Sequence, residues 1–398
     1  MRRLALAVVL ALFQASSAWA ASQAIPHDVQ NLMQEAIAQH SSSFLLMRDG
    51  KVLAQYRDPA LKPGEFDMMS ASKSVVALGI GLLVTDGKIK SLDQPVSDFY
   101  PEWKQGQKAS ITVRMLMNHT SGLQNVPAAP TEIYPAPDFV QLALAAELSD
   151  PPGTRFAYNN KAMNLLSGIV EKASGMPMDQ FLEARLFKPM GLTHSGWGEY
   201  DKAGHPQAMS GWVTDAADAA RIGQLVLDEG RWQGRQLISA SFVREMTAQG
   251  SPLSPKYGLL WWRLPSYSHT TVRSDLANVL TSHGIEPSIV ALLTPLQGKY
   301  FESNADFVKA LVKASGDQIR AVQLALSEHK LSFSDLAKVD AGPVVAYEAD
   351  GFLGQYIVVV PSTRIVAVRQ IVSPDTDVNP WPWGFDNFGD EVLKLGGK

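Results

Sequence analysis

The chain has 398 residues, 46% of them hydrophobic and 19% charged, with a net charge of -4 and no cysteine. This is the composition of a globular protein, long enough for one large domain or two modest ones. The charge balance offers no basic footprint for nucleic acid, and the missing thiols exclude a Cys nucleophile, a Cys zinc site and a disulfide framework.

The opening "MRRLALAVVLALFQASSAWA" sets two arginines before an apolar run and Ala18-Trp19-Ala20. It reads as a secretory signal peptide over Met1 to Ala20, which predicts a periplasmic or secreted protein with no membrane anchor after cleavage. The apolar run is shorter than the ~20 residues a spanning helix needs. Residues 26–40 read as a first helix. "SSFLLMRDGKVLAQYR" reads as two strands around an Asp49-Gly50 turn, a strong hairpin signal. An almost wholly apolar helix follows Ser70, and "GKIKSLDQPVSDFYPEWKQG" is loop-rich. "ITVRMLMNHTSGL" is a short helix with a polar exit, and residues 161–173 form an amphipathic helix that Gly175 ends. "DQFLEARLFKPMG" and "TDAADAARIGQLVLDEG" are further helices, the second with Thr214 as its N-cap. "KYGLLWWRLP" is a strand, and residues 266–340 are mostly helical. "PVVAYEADGFLGQYIVVVPSTRIVAVRQIV" gives two or three strands and "FGDEVLKLGG" a last helix.

Apolar strands thus lie at both ends of the chain and helices in the middle. The economical solution is an α/β (α+β) fold, in which one antiparallel sheet joins the two ends and helices flank it. A mostly helical lobe then packs alongside, and the crevice between the lobes is the default site. The mature domain, 21–398, divides into an α/β lobe (about 21–90 and 341–398, with a strand about 256–265), a helical lobe (about 91–255) and an extra helical insertion (about 266–340).

Three features can carry chemistry. Ser70 and Lys73 are three apart, so on a helix they share a face. A serine hydroxyl needs a base to take its proton, and a buried lysine can be that base because desolvation lowers its pKa. The alternative is an N-capping serine and a lysine reaching for solvent; the same spacing recurs in Ser327-Glu328-His329-Lys330. Tyr158 and Asn160 precede a helix, and their alternatives are packing and N-capping. Gly351 and Gly354 interrupt a strand, which marks either a sheet bend or a close approach of another backbone or a ligand.

Taken in this order, Ser-x-x-Lys, Tyr-x-Asn and a Gly-bearing strand resemble the three motifs of the penicillin-recognising serine enzymes. The β-lactamase/transpeptidase-like fold is what this resemblance implies. The nearest likeness is to the class C β-lactamase-related branch, with its D-alanyl carboxypeptidases, esterases and 6-aminohexanoate-dimer hydrolases. "GKIKSLDQPVSDFYPEW", "PGTRFAYNNKAMNLLSGIVEKASG" and "GQLVLDEGRWQGRQLIS" extend the likeness through most of the chain. The resemblance implies an acylated Ser70, Lys73 as proton acceptor and Tyr158 as the residue passing the proton to the leaving group. It also implies Asn160 orienting Lys73 and the substrate carbonyl, and an oxyanion hole from the N–H groups of Ser70 and of Phe352, just after Gly351.

The third motif departs from the pattern. Where β-lactamases begin it with Lys or His, this chain has Ala349-Asp350-Gly351. Losing that cation points away from carboxylate-bearing substrates such as penicillins, unless Arg369 or a basic group of the insertion replaces it. The expectation is a hydrolase for a small-molecule ester, amide or peptide substrate, needing no cofactor and no metal. The alternatives are a D-alanyl carboxypeptidase, a class C-like β-lactamase, or a non-catalytic sensor of peptidoglycan ligands. For the insertion four readings stand: a lid, a wall of the substrate cleft, a homodimer contact, or decorated surface. Rival chemistries lack their signatures: no Gly-x-Ser-x-Gly occurs, and none of the eight histidines is four residues from another. His119 reads as a structural turn histidine rather than a base.

Overall fold

The computed structural model describes residues 25–61, 64–125, 129–372, 385 and 387–395. The signal-peptide expectation for Met1 to Ala20 lies outside the described residues. Among these residues no helix is long and apolar enough to cross a membrane.

One six-stranded antiparallel sheet joins the two ends of the chain. Its strands are β1 (Ser43–Arg48), β2 (Lys51–Arg57), β3 (Trp262–Pro265), β4 (Val344–Gly351), β5 (Gln355–Val360) and β6 (Ile365–Gln370), in the order β2-β1-β6-β5-β4-β3. Asp49 and Gly50 both have positive φ, which a two-residue hairpin turn of the favoured hand requires. β5 and β6, "QYIVVV" and "IVAVRQ", are buried along their whole length. They read as continuous apolar runs rather than alternating ones because both faces of the sheet are covered.

Helices α1 (His27–Ala38) and α6 (Phe388–Lys394) cover one face, packing on Phe44, Leu46, Val358 and Ala367. Helices α2 (Ser72–Thr85) and α4 (Ala216–Leu227) cover the other, against Leu45, Ile357 and Val368. The same core continues into the helical lobe through α3 (Asn160–Ser174). α2 is buried on every side from Ser72 to Leu83, as its apolar run from Val75 onward demands.

Several expectations need correction. The strand expected over 256–265 is only β3. Leu260 has φ of 62° and, with Leu259 and Trp261, turns into the helical-lobe core, so burial of three large side chains breaks the extended run. The N-cap of α4 is Asp215, whose side chain accepts from the Asp218 N–H; Thr214 instead ends a short strand and bonds Ser195. Residues 266–340 are mostly helical, as expected, but carry a small sheet that the sequence did not show. Helices Leu276–Ser282, Pro287–Leu293, Asn304–Ser315 and α5 (Ile319–Glu328) pack on a three-stranded sheet of Ser268–Val272, Tyr300–Phe301 and Ala337–Ala341. The insertion has a hydrophobic core of its own, around Leu280, Leu293, Val322 and Leu336. It is an extension of the hairpin between neighbouring strands β3 and β4, since Ser266 donates to Pro343 and Gly342 to Tyr267 across its neck.

Candidate active site

Ser70 sits on a single tight turn, Met69–Ala71, that leads into α2. Met69 has φ of 49°, a left-handed conformation that costs energy for a residue with a side chain. The Asp67 carboxylate holds it there, accepting the Met69 N–H at 2.7 Å. The turn thereby lifts the Ser70 hydroxyl out of the helix wall.

The two serines next to it are committed elsewhere. Ser72 accepts from the Trp212 N–H and Ser74 donates to the Leu260 carbonyl. Ser70 alone of the three meets an amine: Lys73 Nζ lies 2.8 Å from its Oγ. Lys73 is 1% exposed, and among the described residues no carboxylate forms an ion pair with it. Its other bond goes to the Met209 carbonyl at 2.7 Å. Burial lowers its pKa from 10.5 to about 7, against a smaller opposing pull from the Asp350 carboxylate. A neutral amine keeps one N–H on Met209 and turns its lone pair toward the Ser70 hydroxyl.

Tyr158 completes the group. Burial pushes its pKa up, aided by Asp350 and opposed by the Ser70 hydroxyl, which lies close enough to interact with the tyrosine. It is therefore a phenol, able to relay a proton but not to act as a standing phenolate base. Aromatic neighbours fix the ring: His119 at 4.4 Å and Trp262, stacked, at 6.2 Å between centroids. His119 Nδ1 accepts from the Asn159 N–H, so Nε2 carries the proton and faces the Tyr257 hydroxyl at 3.2 Å. Burial, and the Lys73 charge nearby, hold His119 well below its usual pKa. It is a neutral scaffold for Tyr158 and Tyr257, in keeping with its reading as a structural histidine.

Gly351 ends β4 against the Ser70 turn. A Cβ there would stand 2.2 Å from the Met68 carbonyl oxygen, so only glycine lets the strand pass this close. The strand carries the Phe352 N–H along with it. Phe352 itself is 55% exposed. Among the described residues neither the Ser70 nor the Phe352 N–H is spent on a main-chain carbonyl. Unspent donors of this kind suit a developing oxyanion.

Asn160 falls outside its expected role toward the lysine: it makes no hydrogen bond to Lys73, which Met209 holds instead. Asn160 is the first residue of α3, and the cap before it is Asn159, whose Oδ1 accepts from the Ala162 N–H. The Asn160 Oδ1 is buried with no partner among the described residues. The second Ser-x-x-Lys does not assemble, because Lys330 turns to the Ser149 carbonyl and Asp150.

The cation position of the third motif is filled by packing. Ala349 is fully buried in the core shared with α2. Arg369 does not replace the missing charge: it is buried and donates to Ser41 and to the carbonyls of Gln39, Leu353 and Gly354. Its work is to clamp the turn that follows Phe352. Sequence reasoning missed Met209, Tyr257 and Trp262. No local pattern marks a carbonyl as a lysine acceptor, and "KYGLLWWRLP" looks like any apolar strand.

Comparison with known proteins bears on this arrangement. The sequence profile described as Beta-lactamase matches residues 29–371. PbpX of Bacillus subtilis strain 168, named for penicillin binding, is 26% identical over 247 residues, 57% of this chain and 61% of that protein. The 6-aminohexanoate-dimer hydrolase of Paenarthrobacter ureafaciens is 25% identical over 244 residues, 56% of this chain and 60% of that one. The chain thus spans less than two thirds of these curated relatives. The solved penicillin-binding protein of Bacillus halodurans superposes with a TM-score of 0.57 at 17% identity, over 90% of this chain and 97% of that one, a likeness of fold.

Proposed function

The chain belongs to the beta-lactamase family, and from that premise we propose that it is an exported serine hydrolase that opens an ester or amide bond through an acyl-enzyme on Ser70. The observation that carries this reading is the buried Lys73 amine, 2.8 Å from the Ser70 hydroxyl and with a pKa of about 7. Neutral Lys73 takes the Ser70 proton as Oγ attacks the substrate carbonyl carbon. The oxyanion that forms is met by the N–H groups of Ser70 and Phe352. As the bond to the leaving group breaks, the Tyr158 hydroxyl gives it a proton and is reprotonated from the Lys73 ammonium. Water then repeats the attack on the acyl-enzyme and releases the acid.

Uncharged esters and amides are the favoured substrates. Ala349 supplies no cation, Arg369 is committed to the main chain, and the Asp350 carboxylate is close enough to act on both Lys73 and Tyr158. A charge-assisted hydrogen bond to a substrate carboxylate is worth roughly 1.5–3 kcal/mol. Its absence therefore costs on the order of ten- to a hundredfold for penicillin-like molecules. The test is kcat/KM for p-nitrophenyl butyrate against benzylpenicillin, in wild type and Ser70→Ala. Ester turnover that exceeds penicillin turnover and vanishes in Ser70→Ala is expected. Efficient penicillin hydrolysis would overturn the substrate reading in favour of a β-lactamase, and ester turnover that survives in Ser70→Ala would overturn the mechanism.

A further inference from the structure

A cleft of about 880 Å³ begins at Tyr158 and Asn160 and does not include Ser70. One wall is the helical lobe, from Gly122 to Asn125 and from Ser149 to Asn160. The other is the insertion: Gln323 and Ser327 on α5, and the loop down to Asp335. These walls belong to separate hydrophobic cores, and polar bonds bridge them. Arg155 Nη2 donates to the Lys330 carbonyl at 2.7 Å. Lys330 Nζ reaches the Ser149 carbonyl at 3.3 Å and the Asp150 carboxylate at 3.4 Å.

The latch also settles the cleft's charge. Arg155, Lys330 and Asp150 are engaged with one another, and Asp335 is taken up by Ser332. Glu328 is the one further charged group among the lining residues; the rest that faces the gap is uncharged and hydrogen-bonding, with apolar surface from Leu253 and Phe333. A cavity of this volume lies near the upper end of the 300–1,000 Å³ usual for small-molecule sites. It is far more than the acyl group of a simple ester can fill.

We propose that the insertion is the outer wall of an extended substrate subsite, with Gln323 and Ser327 as specificity-determining residues, and that the substrate is a linear, uncharged chain running from Ser70 past Tyr158 into this cleft. This rests on the hydrolase reading above and names the shape and polarity of what that hydrolase takes. Of the four readings open for the insertion, it selects the cleft wall.

Two ester series of increasing length test it, each made with L- and with D-alanine. One lengthens the acyl side, as N-acetyl-oligoalanine p-nitrophenyl esters. The other lengthens the leaving side, as N-acetyl-alanyl-lactyl-oligoalanine amides. In one series kcat/KM should climb about tenfold or more with length, as contacts with the far wall are gained. Gln323→Trp puts a large ring into the gap from an exposed helical position. It should cut the long-to-short ratio by about tenfold, and Ser327→Trp, one turn further along, should do the same. Thermal melts check that both variants fold. A flat response to length in both series, or a ratio that neither variant changes, would overturn the subsite while leaving Ser70-dependent cleavage of the short esters intact. If no ester is cleaved in a Ser70-dependent way, the hydrolase reading fails, and this proposal fails with it.

Discussion

Replacing Lys73 with methionine should abolish activity and make the protein more stable at neutral pH. Lys73 is 1% exposed and burial lowers its pKa from 10.5 to about 7. Each pKa unit corresponds to about 1.4 kcal/mol, so the charged form is disfavoured by about 5 kcal/mol in the folded state. The sign follows from proton linkage. Between pH 7 and 10.5 the unfolded chain binds a proton at this site that the folded chain does not, so stability rises with pH across that window. Below about 7 the full penalty is present, and near 10.5 it is gone. Methionine removes the penalty with little change in volume. It leaves the Met209 carbonyl and the Ser70 hydroxyl without their donor, at a cost of about 1–3 kcal/mol. The net expectation is a gain of about 2 kcal/mol or more at pH 7 that shrinks and reverses by pH 10. Urea or thermal unfolding of both proteins at the two pH values reads this directly, and turnover should fall on the order of a thousandfold. A Lys73→Met variant less stable than wild type by the same amount at both pH values would refute the claim that this lysine is held against its charge.

Four further outcomes follow from the same geometry. For a neutral ester, kcat/KM should rise through a midpoint near pH 7 as Lys73 deprotonates and show no second limb from Tyr158 at moderately alkaline pH, since burial and Asp350 hold that phenol up. Asp350→Asn should move the midpoint to lower pH, because the carboxylate opposes the fall of the Lys73 pKa; a midpoint unmoved or raised contradicts this. Gly351→Ala sets a methyl 2.2 Å from the Met68 carbonyl oxygen, so it should lower kcat by about tenfold or more while KM changes little, as expected where oxyanion donors are displaced. Arg369→Lys gives up several bonds to Gln39, Leu353 and Gly354. It should lower kcat in parallel and cost about 2–4 kcal/mol of stability, and a variant with wild-type kcat would show that the clamp does not position Phe352.

Much of this arrangement was legible because it is local. The Asp49-Gly50 hairpin, the buried run of α2 and the apolar terminal strands each follow from periodicity and turn chemistry over a few residues. Ser70, Lys73 and Tyr158 stood out through the family resemblance that their motifs carry together, and Ser70 and Tyr158 come close enough to interact, though 88 positions separate them. What stayed hidden depends on tertiary context. Asn159 and Asn160 are chemically identical, and only the approach of the His119 ring and the Leu123 carbonyl decides that Asn159 caps α3. Leu260 breaks the strand because Trp261 and its neighbours have a core to enter. Met209 holds Lys73 through a carbonyl, a group every residue has. The short strands of the insertion pair over long sequence distances, Ser268–Val272 with Ala337–Ala341, and two of the three are too short or too polar to show a period.

The central claim is that Ser70 is the nucleophile. Its most direct test is mass mapping of the tryptic peptides after reaction with a fluorophosphonate at pH 8, where Lys73 is mostly neutral. The account predicts one adduct per chain, on Ser70, and none in Ser70→Ala. An adduct on Ser72, Ser74 or Ser327, or labelling that persists in Ser70→Ala, would contradict it.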